Sequence, residues 1–234
     1  MVFINFLEEE SMGKNLRVGV LASGEGTDLQ SIIDASEKKM IDASIVVVAS
    51  DNEQAYALER AGIHNIPNEF IDPKNLNRKT YDQQLDKTLE TYELDLLVGA
   101  GYMRMLSSFF VEKWFGSLIN IHPSLLPSFK GIDGQSQAFK YGVKIAGCTT
   151  HFMDNEMDHG PIILQAALQV LSNDTEESLK QRILKIEHQV LPRTVQLFSQ
   201  NRLSIQGRSV RIAPGDSWLD IYPEIPGILY SKGY

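Results

Sequence analysis

Four short apolar runs, separated by segments with helical spacing, constrain this chain more than any other feature. Leu16-Arg17-Val18-Gly19-Val20-Leu21-Ala22 and Ala43-Ser44-Ile45-Val46-Val47-Val48-Ala49-Ser50 have the length and branched content of buried strands. Leu94 to Gly101 and Leu118 to His122 repeat the pattern. Between them, Leu29, Ile32, Ile33 and Ser36 fall at helical spacing, a helix is expected around Glu53–Ala61, and a short extended piece near Asn65–Ile71. Lys79 to Tyr92 is amphipathic, with Tyr81, Leu85, Thr88, Leu89 and Tyr92 on one stripe. A strand that returns to its sheet through a helix lies parallel to the one it left. The alternation therefore predicts an α/β fold with a doubly wound, largely parallel sheet.

The later chain adds a short helix at Gly134–Tyr141, an alternating strand at Ala146–Met153 and a further strand at Pro161–Leu171. Thr175 opens a long C-terminal helix reaching about Ser199, and Arg202–Ile212 reads as a hairpin turning at Gln206-Gly207. The domain reading is a flexible N-terminal extension over residues 1–15, a single domain over 16–212 and a C-terminal tail over 213–234.

In open parallel sheets, ligands bind beyond the carboxyl ends of the strands. Ser23-Gly24-Glu25-Gly26-Thr27-Asp28 follows the first strand and opens a helix. Free N–H groups and the helix dipole there suit a phosphate, and a tight glycine turn is the simpler alternative. Gly101–Leu106 and Asn120–Ser124 follow two other strands, so all three segments should meet on one rim. Asn120 and His122 are two apart on an apolar strand that Pro123 stops, which points both side chains to one face. A fixed hydrogen-bond donor beside a proton carrier suits a carbonyl whose oxygen becomes negative. A strand end whose Asn and His satisfy backbone groups is the plainer reading of the same residues.

The net charge of −8 argues against a nucleic-acid face, which needs clustered Lys and Arg. No apolar run approaches the roughly 20 residues that span a bilayer, and the N-terminus does not resemble a signal peptide. The single cysteine, Cys148, excludes an intramolecular disulfide and a thiolate metal cluster, and it reads as a small core residue. A cytoplasmic setting, no membrane partner and no metal are expected.

Taken in order, Gly24-x-Gly26-Thr27-x-Leu29-Gln30, Gly101-Tyr102-Met103-Arg104-Met105-Leu106, Asn120-Ile121-His122-Pro123-Ser124-Leu125-Leu126-Pro127, His151-Phe152, Met157-Asp158-x-Gly160-Pro161-Ile162-Ile163-Leu164-Gln165 and Glu187-His188 resemble the phosphoribosylglycinamide formyltransferases of purine synthesis. The resemblance runs from about Leu16 to Ile212 and implies a Rossmann-like formyltransferase fold. It further implies transfer of a formyl group from the cosubstrate 10-formyltetrahydrofolate to the amine of glycinamide ribonucleotide, by a monomer or homodimer.

By that resemblance Asn120 and His122 would stabilise a tetrahedral oxyanion, and Asp158 would balance charge on the imidazole and relay a proton through water. Gly26, Thr27 and Asp28 would bind the ribonucleotide phosphate, and Glu187 the ribose end. Met103, Arg104, Met105 and Leu106 would cradle the pterin, Asp154, Asn155 and Glu156 would close over it, and Arg78 would meet the folate glutamate. His151 could buttress Asp158 or be a satisfied core histidine.

Some residues depart from the family pattern. Asp28 stands where an Asn is common, Glu25 adds another acid, Asp133-Gly134-Gln135 replaces a His-containing segment, and Leu184 sits where some members have a Lys. Methionyl-tRNA formyltransferase shares the Asn-x-His run but carries a further basic domain. Formyltetrahydrofolate deformylase uses related residues with water as acceptor. From another class, a Rossmann-type oxidoreductase would need a third turn glycine where Leu29 stands, and a non-catalytic folate or nucleotide binder would not need Asn120, His122 and Asp158 together.

Overall fold

A computed structural model describes residues 15–215 and 225–231. The extension expected over 1–15 lies outside them apart from Asn15, as does about half of the expected tail. The expected alternation is present. It runs β1 (Leu16–Leu21), α1 (Thr27–Glu37), β2 (Ala43–Ser50), α2 (Tyr56–Ile63), β3 (Asn68–Phe70), α3 (Arg78–Glu90), β4 (Leu96–Gly99), α4 (Ser108–Lys113) and β5 (Leu118–His122). Then follow α5 (Gly134–Tyr141), β6 (Ile145–Phe152), β7 (Ile162–Gln169), α6 (Glu176–Ser199), β8 (Leu203–Gln206), β9 (Ser209–Ile212) and β10 (Ile228–Tyr230).

The strands form one sheet in the order β3-β2-β1-β4-β5-β6-β7-β9-β8, with β10 beside β7. From β3 to β5 every pairing is parallel, and β5–β6 and β6–β7 are antiparallel. One core packs α1, α2 and α6 against one face of the sheet, and a second packs α3 and α4 against the other. Parallel strands covered on both sides have no solvent face, which is why β1, β2 and β4 read as nearly continuous apolar runs.

Several local expectations shift. The α3 stripe buries Tyr81, Leu85 and Leu89, with Tyr92 half-buried against the same core just past the helix; Thr88 is only half-buried, and the helix also buries Asp82 and Asp86, whose carboxylates accept from the Ser107 amide and from Lys113 and Trp114. Strand β6 does not alternate, because β5, β7 and α6 cover it and bury every residue from Ala146 to Phe152. The hairpin turns at Gly207-Arg208, one residue later than expected, since Gln206 still pairs with Ser209. Helix α2 starts at Tyr56, after a turn over Asn52–Ala55, and part of the tail adds β10 to the sheet.

Candidate active site

Strand β5 delivers Asn120 and His122 to the same side, as a period of two requires. Its antiparallel partner β6 sets His151 directly opposite Asn120. The Met153–Gly160 loop between β6 and β7 then returns Asp158 to this group, with Asp158 in the left-handed region at φ 48°. Acidic residues tolerate that conformation better than branched or bulky ones.

The hydrogen-bond pattern assigns the ring tautomers. The His151 Nδ1–H donates to the Phe152 carbonyl at 2.9 Å, so its Nε2 is free to accept from the Asn120 amide at 3.3 Å. Burial lowers the His151 pKa, against the opposite pull of the Phe152 carbonyl and Asp158, which agrees with a neutral acceptor ring. Asn120 thus has one N–H held by His151 and a second for the cleft. His122 donates from Nε2 to the Phe129 carbonyl at 2.8 Å and holds Nδ1 3.4 Å from Asp158 Oδ2. The imidazole can therefore offer a donor beside Asp158 only through Nδ1, and only while it carries a second proton. Asp158 Oδ2 also accepts from the Gly131 amide at 2.7 Å, and Asp158 Oδ1 lies 3.8 Å from His151 Nε2.

Two glycines make this packing possible. A Cβ on Gly99 would stand 2.7 Å from Asn120 Oδ1, and one on Gly134 would stand 3.1 Å from both His122 Nε2 and the Phe129 carbonyl oxygen. Phe129 itself is left-handed at φ 55°, a costly conformation for a bulky residue, and its carbonyl accepts from His122.

Asn120, His122, His151 and Asp158 line a cleft of about 340 Å³. One wall is the Gly101–Leu106 segment, held from behind by Met103 N–H to Ser23 Oγ, by the Tyr102–Tyr81 hydroxyl pair and by Arg104 over the Tyr81 ring. The facing wall is Asp154, Asn155, Glu156, Met157 and Asp158. Met103, Met105, Ile132 and Met157 are exposed at this cleft. Apolar groups left bare around a concave polar centre suit a flat organic ligand.

The other end carries Asp28, Leu184 and Glu187. Asp28 Oδ1 is buried without a hydrogen bond, and His188 Nε2 lies 3.8 Å away. Burial pushes the Asp28 carboxyl up to about 7. Burial and then the Asp28 charge push Glu187 well above the carboxylate range. Near neutral pH such an Asp28 carries less charge than an ordinary aspartate, which lessens the repulsion an anion at the start of α1 would meet. Helix α1 has no side-chain cap on its first turn, so its leading N–H groups are open to such a ligand.

Not every expected site residue reaches this cleft. Gly26 is the left-handed N-cap of α1, where a Cβ would meet Ala57 at 2.8 Å. Thr27 faces a separate groove with Gln30, Arg60 and His188. Arg78 lies apart, in a shallow pocket with Ser107, Phe109 and Glu112. Sequence reasoning did not single out the Gly131 amide or the Phe129 carbonyl, which leave no side-chain signature. Gly99 did carry a signal, as a glycine at the end of an apolar strand.

The sequence matches the formyl transferase family over residues 16–195. It is 40% identical over 187 residues to the phosphoribosylglycinamide formyltransferase of Bacillus subtilis, covering 79% of this chain and 96% of that one. It is 42% identical over 198 residues to the trifunctional purine biosynthetic protein adenosine-3 of Bos taurus, covering 83% of this chain but only 20% of that protein, so the chain spans about a fifth of that relative's length. The crystal structure of glycinamide ribonucleotide transformylase 1 from Symbiobacterium toebii superposes with a TM-score of 0.84 at 44% identity, covering 89% of this chain and 99% of that one.

Proposed function

The chain belongs to the formyl transferase family, and on that premise we propose that it transfers the formyl group of 10-formyltetrahydrofolate to the amine of glycinamide ribonucleotide. The observation that carries this reading is the meeting of Asn120, His122 and Asp158 in one cleft, with an apolar mouth on one side and the start of α1 on the other.

As the amine adds to the formyl carbon, the carbonyl oxygen gathers negative charge and the nitrogen positive charge. The free Asn120 N–H is fixed in advance for that oxygen by His151 on one side and the Gly99 gap on the other. His122, carrying its second proton on Nδ1, adds a donor whose positive charge Asp158 balances from 3.4 Å. Asp158 is itself anchored by the Gly131 amide, which leaves Oδ1 to take the amine proton through a water and return it to the folate nitrogen as the intermediate collapses and the bond between that nitrogen and the formyl carbon breaks. Met103, Arg104, Met105 and Leu106, with Asp154, Asn155 and Glu156, hold the pterin. Glu187 meets the ribose, and Gly26, Thr27 and Asp28 hold the phosphate through the N–H groups of the first turn. Arg78 meets the glutamate end only if the folate tail extends past the main cleft, because it stands outside it.

The test is steady-state formyl transfer with the two named substrates, run beside water, methionyl-tRNA, and formate plus ATP. Transfer to glycinamide ribonucleotide alone supports the reading. Release of formate with water as the preferred acceptor, or use of formate plus ATP in place of formylfolate, would overturn it.

A further inference from the structure

We propose that Arg208, at the tip of the β8–β9 hairpin, is a positioning residue that latches the Met153–Gly160 loop walling the cosubstrate end of the cleft. Arg208 lies beyond the stretch matched by the family, which ends at residue 195. The sheet nevertheless brings it to the site, because Ser209 pairs with Ile162, the first residue of β7 after the loop.

From there a chain of polar contacts runs into the loop. Arg208 Nη1 lies 3.2 Å from His159 Nε2 and 3.1 Å from Nδ1. The His159 Nδ1–H donates to Asp154 Oδ2 at 2.7 Å, and the guanidinium nitrogen, nearly equidistant from the two ring nitrogens, rests against the imidazole rather than on one lone pair. Asp154 Oδ1 in turn accepts from the Glu156 amide at 3.0 Å, and Arg208 Nη1 stands 3.9 Å from Asp154 Oδ2. The carboxylate that shapes the crown of the loop is thus oriented from outside it.

The root of the loop has little freedom. A Cβ on Gly160 would fall 1.8 Å from the Phe152 carbonyl oxygen, and the Phe152 amide donates to Pro161 at 2.9 Å. The crown is held by the Arg208 chain on one side and by Asn155 Nδ2–H to Glu112 Oε1 at 3.2 Å on the other. Asp158 has its own anchor in the Gly131 amide. Loss of the latch should therefore loosen the cosubstrate wall and leave the proton-handling group in place.

The functional part of this inference rests on the reading that the loop covers the pterin, and the experiment separates the two. Hydrogen exchange of a peptide spanning residues 153–160 is measured in the ligand-free protein, together with both KM values and kcat, for Arg208→Ala, Arg208→Lys, His159→Ala and the Ala/Ala double variant. Faster exchange in Arg208→Ala is expected, with KM for 10-formyltetrahydrofolate raised roughly 2- to 5-fold, as suits a partly exposed pair. KM for the ribonucleotide, kcat and Tm should stay put. Lys should restore part of the loss, and the double variant should be no worse than the worse single one. Unchanged exchange overturns the latch. Faster exchange with an unchanged formylfolate KM overturns its role at the site, and equal shifts in both KM values with a lowered Tm overturn it in favour of plain structural support. If the native protein transfers no formyl group, the proposed function fails, and exchange alone decides the latch.

Discussion

The two ends of the cleft are built on opposite principles. At the β5 end, Asn120, His122, Asp158 and His151 each have polar neighbours that hold them, and backbone groups of Phe129, Gly131 and Phe152 complete the set. At the α1 end, Asp28 is half-buried with one oxygen fully buried and without a hydrogen bond, Glu187 is buried beside it, and Leu184 supplies no charge to offset either. The first end is preorganised before any ligand arrives. The second is compromised on its own and gains most when something polar fills it. On the proposed function, binding and chemistry divide along one groove: rigidity sits where a transition state would be met, and the energetic shortfall where a substrate would be drawn in.

The sharpest way to break this comparison is at the rigid end. Asp158→Asn should fold with unchanged circular dichroism and lose on the order of 100-fold or more in kcat, as should Asn120→Ala. Full activity in either would show that the preorganised geometry does no chemical work. A subtler probe leaves the reacting groups untouched. Gly99→Ala places a methyl 2.7 Å from Asn120 Oδ1 and must displace that amide, so kcat should fall roughly 10- to 100-fold while KM for both substrates changes little. A crystal structure with Asn120 unmoved and a full kcat would end the claim that its placement matters.

The compromised end is probed by pH. An acid whose native pKa lies above its unfolded value makes the folded state bind more protons, so its stabilising share is complete below about 3.8 and is lost as pH rises through about 7. Asp28→Asn lacks that loss. Its Tm should match the native chain near about pH 4 and exceed it by several °C at about pH 8. A Tm difference independent of pH would mean that Asp28 is not strained by burial. The smallest effect is expected at Arg78, which stands outside the main cleft. Arg78→Ala should leave kcat unchanged and raise KM for a formylfolate by no more than about 5-fold, the scale of an exposed ion pair. A much larger rise would extend the working cleft out to α3.

Much of the fold was legible along the chain because buried parallel strands cannot alternate and amphipathic helices must. β1, β2, β4 and β5 and helices α1, α3 and α6 all lie where periodicity put them, within a few residues. The aspartates inside the α3 stripe escaped that logic, since Asp82 and Asp86 are buried through partners on the Ser107–Trp114 segment rather than through any local pattern. The convergence of three strand-end segments on one rim was also legible, as were Asn120 and His122 on one face of a strand. The separation of Thr27 and Arg78 from the main cleft was not.

By itself, the sequence determined the alternation of elements, the pairing of Asn120 with His122 by strand period, and the set of motifs that marks the family. These follow from spacing along a chain whose local geometry admits few choices. Only the tertiary structure decided that His122 donates Nε2 to a backbone carbonyl and turns Nδ1 to Asp158, that His151 holds the Asn120 amide, and that a hairpin past residue 200 reaches the cleft wall. Most of those contacts join residues far apart in sequence, and the His122 one ends on a backbone atom of a kind that every residue shares. No side-chain pattern encodes them, and only close packing of the finished sheet brings them within a hydrogen bond of one another.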